Sequence, residues 1–362
     1  MKIAQVCPRY YPDIGGVETH VREISERLVK LGFDVEVVCT DPTGKLPKHE
    51  ITNGVTVTRF KSIAPGDAYF FAPQIYCYLK DQSYDIIHAH SYHALPALFA
   101  VLAKNGRRLI FTPHYHREGH TLFRNLLHKP YKLIGSKIFE MADKVICVSE
   151  YEKRNVLSDF KVPPGRIEKI PNGLNFAEFA NIKPDKKSNG ESILLYVGRL
   201  EKYKGIQFII ETLPHLQNFK LEVVGKGQYE KNLRKLAEEL SVTKLINWHK
   251  NLTRRELLQY YAQADEFLML STHEAYGITI AEALMSGTPC IVALGSALDE
   301  FVDGERCFGI ETPITTDKLV NAIQQVNNAG IKGKMNTNNF PFADWNEVTD
   351  KLIGIYKGLN RW

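Results

Sequence analysis

The stretch HEAYGITIAEALMSGTPCIVA (273–293) holds the residues best suited to chemistry in this chain of 362 residues. Glu274 and Glu282 stand eight apart, and on one regular helix that separation would turn the carboxylates about 80 degrees from each other. They need not share a helix. Gly277 marks the expected helix start, which puts Glu274 in the preceding loop and Glu282 inside the helix, both within reach of a ligand lying across the N-terminus. The free N–H groups of Gly277, Ile278 and Thr279 and the partial positive charge of the helix end suit a diphosphate. Two glutamates alone are more often a solvent-facing pair around an ordinary βα turn, so the rest of the sequence must decide.

Two further loops weigh on that choice. In YVGRLEKYKGI (196–206) an apolar run ends at Gly198 and is followed by Arg199, Lys202 and Lys204. Arginine binds phosphate bidentately and lysine adds a point charge, although a solvated turn accounts equally well for such cations in isolation. VVGKG (223–227) offers Gly225 and Gly227 after another strand-like run. It lacks the third glycine of a dinucleotide fingerprint, which argues against a nicotinamide or flavin enzyme.

The elements that must position these residues alternate along the chain. Strand-like runs are KIAQVC (2–7), VEVVC (35–39), VTVTRF (55–60), DIIHAH (85–90), LIFTP (109–113), KVICVS (144–149) and RIEKIP (166–171). Helical patterns fall between them, and Val17, Val21, Ile24, Leu28 and Leu31 mark one apolar face. A polar segment, ANIKPDKKSNGES (180–192), reads as a linker. The alternation then resumes with SILLYVG (192–198), FKLEVVG (219–225), KLINW (244–248), EFLML (266–270) and PCIVA (289–293). Alternating β and α runs predict parallel sheets covered by helices on both faces. Two doubly wound α/β domains follow, at 1–175 and 190–335, with a site expected in a deep cleft where the carboxyl ends of their strands face each other. Trp345, Val348, Leu352 and Ile355 predict a last helix over about 343–362.

Composition supports a folded chain: 44% of residues are hydrophobic and 24% charged, near the average for globular domains. The longest nearly unbroken apolar run, Ala94 to Ala103, contains Pro96 and falls far short of the ~20 residues of a membrane span. The start, MKIAQVC, runs directly into a strand without the pattern of a secretory signal. The six cysteines never form CxxC, so buried thiols in a reducing cytoplasm are expected. No Cys/His spacing suggests a structural zinc site. Residues 1–170 carry 24 Lys and Arg against 18 Asp and Glu, a net +6, and residues 171–362 carry 22 against 23, a net −1.

Seven segments in order give the chain a resemblance that covers nearly its whole length: PDIGGVETHV (12–21), FTPHYH (111–116), VICVSEYEKRNV (145–156), IPNGLN (170–175), YVGRLEKYKGI, VVGKG and EAYGITIAEAL (274–284). The chain resembles the retaining glycosyltransferases of the family 4 group, whose fold is GT-B: two Rossmann-like domains facing a cleft, the last helix crossing back to the first. The resemblance implies a metal-independent transfer of a hexosyl group from a UDP- or GDP-linked sugar to a hydroxyl acceptor. Arg199 and Lys204 then match the pair that binds the donor diphosphate, Glu282 the ribose ligand, and Glu274 the carboxylate at the sugar hydroxyls. Tyr276, Gly277, Ile278 and Thr279 fall in the donor loop, with Gly198, Gly225 and Gly227 in the neighbouring ones. Gly15 and Gly16 match the glycine loop of the first domain, and His114 the histidine at the reacting face. Three departures stand out. Asn175 replaces a usual acid, His116 competes with His114, and Tyr276 replaces a frequent Phe.

The resemblance implies no cofactor, since the nucleotide sugar is a co-substrate. No two aspartates lie two apart, so the metal-holding DxD device is missing and no metal is expected. Other classes stay open on sequence alone: a nucleotide-sugar-binding scaffold without activity, or a GT-B-shaped epimerase that turns over donor without acceptor. The stretch 104–137 holds Lys104, Arg107, Arg108, Arg117, Arg124, Lys129, Lys132 and Lys137 against Glu118, with His120 and His128 among them, and DAYFFAPQIYCYLK (67–80) is aromatic. A solvated face with core aromatics is one reading. The other is an anionic or lipid-linked acceptor met at the inner face of the cell membrane, where each basic residue contributes about 1 kcal/mol. No nucleic-acid recognition motif is seen.

Overall fold

The computed structural model describes the chain apart from residues 118–121, 181, 183–189, 332, 334–341 and 360–362, and the side chains of 122–130 also lie outside the description. Contacts divide it into two units, Met1–Gly173 with Ala343–Trp362, and Leu174–Phe342. The expected linker at 180–192 falls mostly on residues outside the description.

The first unit runs β1 (Lys2–Val6), α1 (Gly16–Lys30), β2 (Asp34–Asp41), β3 (His49–Thr52), β4 (Val55–Lys61), α2 (Gln74–Asp81), β5 (Ile86–His90), α3 (Leu95–Leu102), β6 (Arg108–Thr112), α4 (Leu122–Met141), β7 (Lys144–Cys147), α5 (Glu150–Asp159) and β8 (Ile167–Lys169). The sheet order is β3-β4-β2-β1-β5-β6-β7-β8. Every pairing is parallel except β3 with β4. Period-two alternation sorts the strand residues between the faces. Ile3, Val37, Ile86, Ile110 and Ile146 join one core, and Ala4, Val38, Ile87, Leu109, Phe111 and Val145 the other. On α1, Val21, Ile24 and Leu28 are buried as the periodicity predicts, each contributing about 1.5–3 kcal/mol. Leu31, also placed on that face, caps the helix instead and is 57% exposed.

The second unit follows a two-residue strand, β9 (Gly173–Leu174), and a short helix, α6 (Phe176–Phe179). It runs β10 (Ser192–Val197), α7 (Ile206–Thr212), β11 (Phe219–Val224), α8 (Glu230–Glu239), β12 (Ile246–His249), α9 (Arg254–Gln263), β13 (Glu266–Met269), α10 (Ile278–Met285), β14 (Cys290–Ala293), β15 (Cys307–Ile310) and α11 (Thr316–Ala329). Its strands pair in parallel in the order β12-β11-β10-β13-β14-β15. The chain then returns through β16 (Ala343–Asp344) to α12 (Trp345–Leu359), whose Trp345, Val348, Leu352 and Tyr356 fill the core under α1 in the first unit. Strand order reverses between β1 and β5 in one sheet and between β10 and β13 in the other. Such switch points are where open α/β sheets bind ligands, at the carboxyl ends of the strands. Five cysteines are buried and Cys77 is exposed.

Glu266 is fully buried on β13, and neither of its carboxylate oxygens meets a hydrogen-bond partner among the described residues. Burial, with a smaller contribution from Asp265, pushes its carboxyl up to about 9. The folded protein therefore holds a proton that the unfolded chain releases near its ordinary value of 4.5. Stability from this group is complete below the unfolded value and is lost as pH rises through the folded one. Glu266→Gln is expected to raise stability at pH 8 by an amount on the order of a few kcal/mol, with the gain shrinking toward pH 5. Urea melts of both proteins across that range check it, and parallel pH profiles would contradict it.

Candidate active site

The second unit's switch point lies between β10 and β13, and the loops after these strands carry Arg199, Lys204 and Glu274. Lys204 ends a short turn, Lys202–Lys204, closed by Gly205 in the left-handed region (φ 77°). A Cβ on Gly205 would come within 2.5 Å of the Leu270 carbonyl, so the turn presses directly onto the end of β13. That approach brings the Lys204 ammonium onto the Glu274 carboxylate in an ion pair, both side chains mostly buried. Burial works against the charge on Lys204, but the attraction of Glu274 outweighs it and holds the ammonium above its ordinary value.

Arg199 is placed by its backbone and its tip. The Tyr196 hydroxyl donates to the Arg199 carbonyl at 2.8 Å, and Arg199 Nη2 donates to the Tyr203 hydroxyl at 2.7 Å. Lys204 Nζ lies 5.2 Å from the Tyr203 ring centroid. Gly225 and Gly227 do packing work here. A Cβ on Gly225 would sit 1.9 Å from the Gly198 carbonyl oxygen, and one on Gly227 2.2 Å from that of Leu200. The loops after β10 and β11 therefore lie backbone against backbone, joined by Leu200 N–H to the Lys226 carbonyl at 3.0 Å. These approaches explain Gly225 and Gly227 without a ligand, and a Cβ on Gly198 (φ 157°) would meet the Tyr196 hydroxyl at 2.9 Å.

Gly277 begins α10 with φ 114°, a conformation glycine tolerates, and a Cβ there would strike Leu298 at 2.6 Å. The first-turn N–H groups of a helix find no partner within it, so Gly277, Ile278 and Thr279 present donors beside Glu274. The Tyr276 side chain is buried on Phe301, with ring centroids 5.4 Å apart. Glu282 is buried, and its partners escaped the sequence reading. Arg254 pairs with one oxygen, and the Tyr261 hydroxyl donates to the other at 2.9 Å. Burial opposes the charge on Arg254, but Glu282 and Glu178 together hold it firmly protonated. Asn175, the departure from the usual acid, donates to Glu178 at 3.1 Å and so supports the same network.

In the first unit, Gly15 and Gly16 open α1 at the end of β1's loop. Gly16 has open space where a side chain would stand, and a Cβ on Gly15 would meet the Glu18 carboxylate at 2.3 Å. The structure separates the two candidate histidines. His114, with φ 48°, brings one ring nitrogen within 4.8 Å of a ring nitrogen of His20 and of His90, whereas His116 stacks on His93 at 4.3 Å. The His114 loop is fixed by Glu152, which accepts Tyr115 N–H at 2.5 Å and Val148 N–H at 2.6 Å. His114 is half-buried, and its Nε2 is shielded from solvent without a hydrogen-bond partner among the described residues.

The basic stretch is less open than its composition implies. Arg107 donates to the carbonyls of Leu79, Gln82, Ala103 and Lys104. Lys104 pairs with Asp143, Arg117 and Lys132 with Asp159, and Lys137 with Glu140. Glu118, His120 and the side chains of Arg124, His128 and Lys129 lie outside the described residues. The aromatic stretch is mainly structural: Phe70, Ile75 and Leu79 are buried, and Tyr78 donates to the buried Glu36 at 2.5 Å. Among the described residues, no helix is long and apolar enough to cross a membrane.

Two Rossmann-like units in series, with the final helix returned to the first, make this a GT-B protein. The comparisons carry the assignment further. The model of Glycosyltransferase Family 4 matches residues 14–178, and that of Glycosyl transferases group 1 matches 178–338. An uncharacterized glycosyltransferase of Methanocaldococcus jannaschii is 27% identical over 99% of this chain and 98% of its own. The alpha-monoglucosyldiacylglycerol synthase of Streptococcus pneumoniae is 28% identical over 85% and 74%. The solved sucrose-phosphate synthase of Thermosynechococcus elongatus superposes with a TM-score of 0.84 at 20% identity, covering 99% of this chain and 98% of that one. The chain belongs to the family 4 group of glycosyltransferases, an enzyme class that displaces the scaffold and epimerase readings.

The Arg254–Glu282 contact yields a direct test. Arg254→Gln leaves a buried carboxylate with one partner fewer. It is expected to lower stability by about 1–3 kcal/mol, the lower end reflecting the partial exposure of Arg254. The mutant should also weaken nucleotide binding. A urea midpoint and nucleotide affinity equal to the parent's would show that Arg254 does not hold Glu282 in place.

Proposed function

We propose that the second unit binds the nucleoside diphosphate of a sugar donor at its β10–β13 switch point, and that the enzyme passes the hexosyl group to an acceptor hydroxyl with retention. The observation that carries this is the Lys204–Glu274 pair, which ties the turn after β10 to the loop that leads into the N-terminus of α10. An ammonium has three donors, so Lys204 can keep Glu274 and still meet a phosphate oxygen. Arg199 adds a planar fork of donors. The N–H groups of Gly277, Ile278 and Thr279 supply fixed dipoles where the leaving diphosphate gains charge. Donors organised before the reaction stabilise a transition state without reorganisation.

Glu274 orients Lys204 and accepts from sugar hydroxyls. Glu282, steadied by Arg254 and Tyr261, keeps lone pairs free for a ribose hydroxyl, since a carboxylate offers about four acceptor sites. The acceptor proton passes to the leaving phosphate oxygen on the face where the new bond forms, so no side chain need act as a base. Roles for Gly15 and Gly16 at the donor rest on the family resemblance alone. No divalent cation is assigned to the diphosphate, because the cations of Arg199 and Lys204 stand where it would. UDP- and GDP-linked hexoses fit this chemistry equally.

The proposed acceptor is lipid-linked. The relative named for a diacylglycerol glycolipid supports this. So does α4, which exposes Leu133 (78%) and Ile134 between Lys132 and Lys137, an apolar pair flanked by cations. The proposed location is the inner face of the cell membrane.

Arg199→Ala and Lys204→Ala are each expected to lower kcat roughly 10²–10³-fold, the range found on removing one preorganised donor. Wild-type rates should be the same with and without added Mg²⁺ or Mn²⁺. Unchanged turnover in both variants, or a strict need for added cation, would overturn the donor-site assignment. For the acceptor, flotation should recover more protein with anionic than with neutral liposomes, and Leu133→Asp should reduce the difference. Equal recovery with both vesicles would remove the membrane part of the reading.

A further inference from the structure

A groove of about 450 Å³ opens on the second unit, lined by His215, Gln217, Phe219, Gln324, Asn327 and Asn328. It lies at the amino end of the sheet. Phe219 is the first residue of β11 and stands opposite Ser192, the first of β10, whereas the diphosphate loops leave the other end. The length of β11 puts about 20 Å between the two.

The groove is polar but uncharged. Among the described residues, its lining holds no Lys, Arg, Asp or Glu, although exposed positions are where such residues concentrate. The segments that form it share this character. LPHLQNF (213–219) and NAIQQVNNAG (321–330) contain none of the four, in a chain that is 24% charged. Helix α11 buries Leu319, Ile323 and Val326 and lines the groove with Gln324, Asn327 and Asn328. Asparagine is a poor helix former, because its side chain competes for backbone groups. A cation would suit the last turn of a helix, and α11 has none there. Helix stability therefore does not account for these residues.

The polar side chains are also uncommitted. The Ser192 hydroxyl donates to Asn327 Oδ1 at 3.0 Å, which leaves the Asn327 amide N–H groups. The side chains of His215, Gln217, Gln324 and Asn328 make no hydrogen bond or ion pair with any described residue. We propose that this groove binds a neutral oligosaccharide, a stretch of glycan held away from the reacting centre. A carboxamide donates and accepts at once, and two neighbouring hydroxyls of a pyranose return both bonds. Phe219, largely buried, gives the floor an apolar part for the C–H face of a ring. A phosphate or an acidic sugar would call for Arg or Lys, and neither lines the groove. The volume falls within the roughly 300–1,000 Å³ of small-molecule sites. A second hold on a glycan raises its effective concentration at the enzyme. The site uses none of the donor-loop residues, so it stands or falls independently of the donor reading.

Saturation-transfer NMR on the intact protein tests this, with maltotriose, cellotriose, mannotriose and triacetylchitotriose each titrated to about 10 mM and no nucleotide present. At least one trisaccharide should bind, and the anionic trigalacturonate should not. Gln324→Ala combined with Asn328→Ala removes two hydrogen-bonding groups and should weaken that binding roughly 10-fold. Alanine favours a helix more than either residue, so the double variant keeps the fold. The proposal is overturned if no neutral trisaccharide binds, if parent and double variant bind it equally, or if trigalacturonate binds as well as the neutral sugars.

Discussion

Lys204 against Glu274 is the contact on which the second unit's site depends. It joins loops 70 residues apart in sequence, at the ends of the two strands that flank the switch point. Neither charge would be tolerable there alone, since removing one member of a buried pair leaves an uncompensated ion. Together they hold an ammonium at the entrance to α10. The geometry that forces the pairing is made from backbone: Gly205 pressed on Leu270, and Gly225 and Gly227 pressed on the loop that carries Arg199. Close packing without side chains aligns the charged side chains above it.

The first unit solves the same topological problem with different chemistry. Among the described residues, its switch point gathers buried imidazoles and carboxamides. Tyr356 and Trp345, from the last helix, complete that polar core. Gly173 lets α12 in, because a Cβ there would fall 2.6 Å from the Trp345 ring. The return of the chain therefore finishes the wall of a buried polar group and covers an apolar sheet face at once.

Most strands were legible in the sequence because they depend on local order: period-two and apolar runs, closed at β10 and β11 by a glycine with cations just after it. What escaped depends on long-range approach. Arg254 sits in an ordinary helix start with Thr253 and Glu256 as its capping box, and nothing local says that it reaches Glu282. β3 and β15 are short and were missed, the first being an antiparallel edge strand. Leu31 fits the apolar period of α1 but falls at its cap. The glycines of VVGKG fall in a donor-side loop by resemblance, and in the structure a carbonyl stands against each of them. Residues 20, 90 and 114 share no local pattern, yet they converge because α1 and the ends of β5 and β6 meet at one point. The basic composition of 104–137 suggested an open surface, whereas Arg107 and Lys104 are consumed by carbonyls and an acid.

Recognition of a diphosphate by the β10–β13 loops is measured directly by calorimetric titration of the intact protein with a nucleoside, its monophosphate and its diphosphate, for uridine and guanosine. At least one diphosphate is expected to bind, and to bind roughly 10-fold or more tightly than its own nucleoside, a difference of about 1.4 kcal/mol or greater. Equal affinity for nucleoside and diphosphate, or no binding by either series, would contradict it.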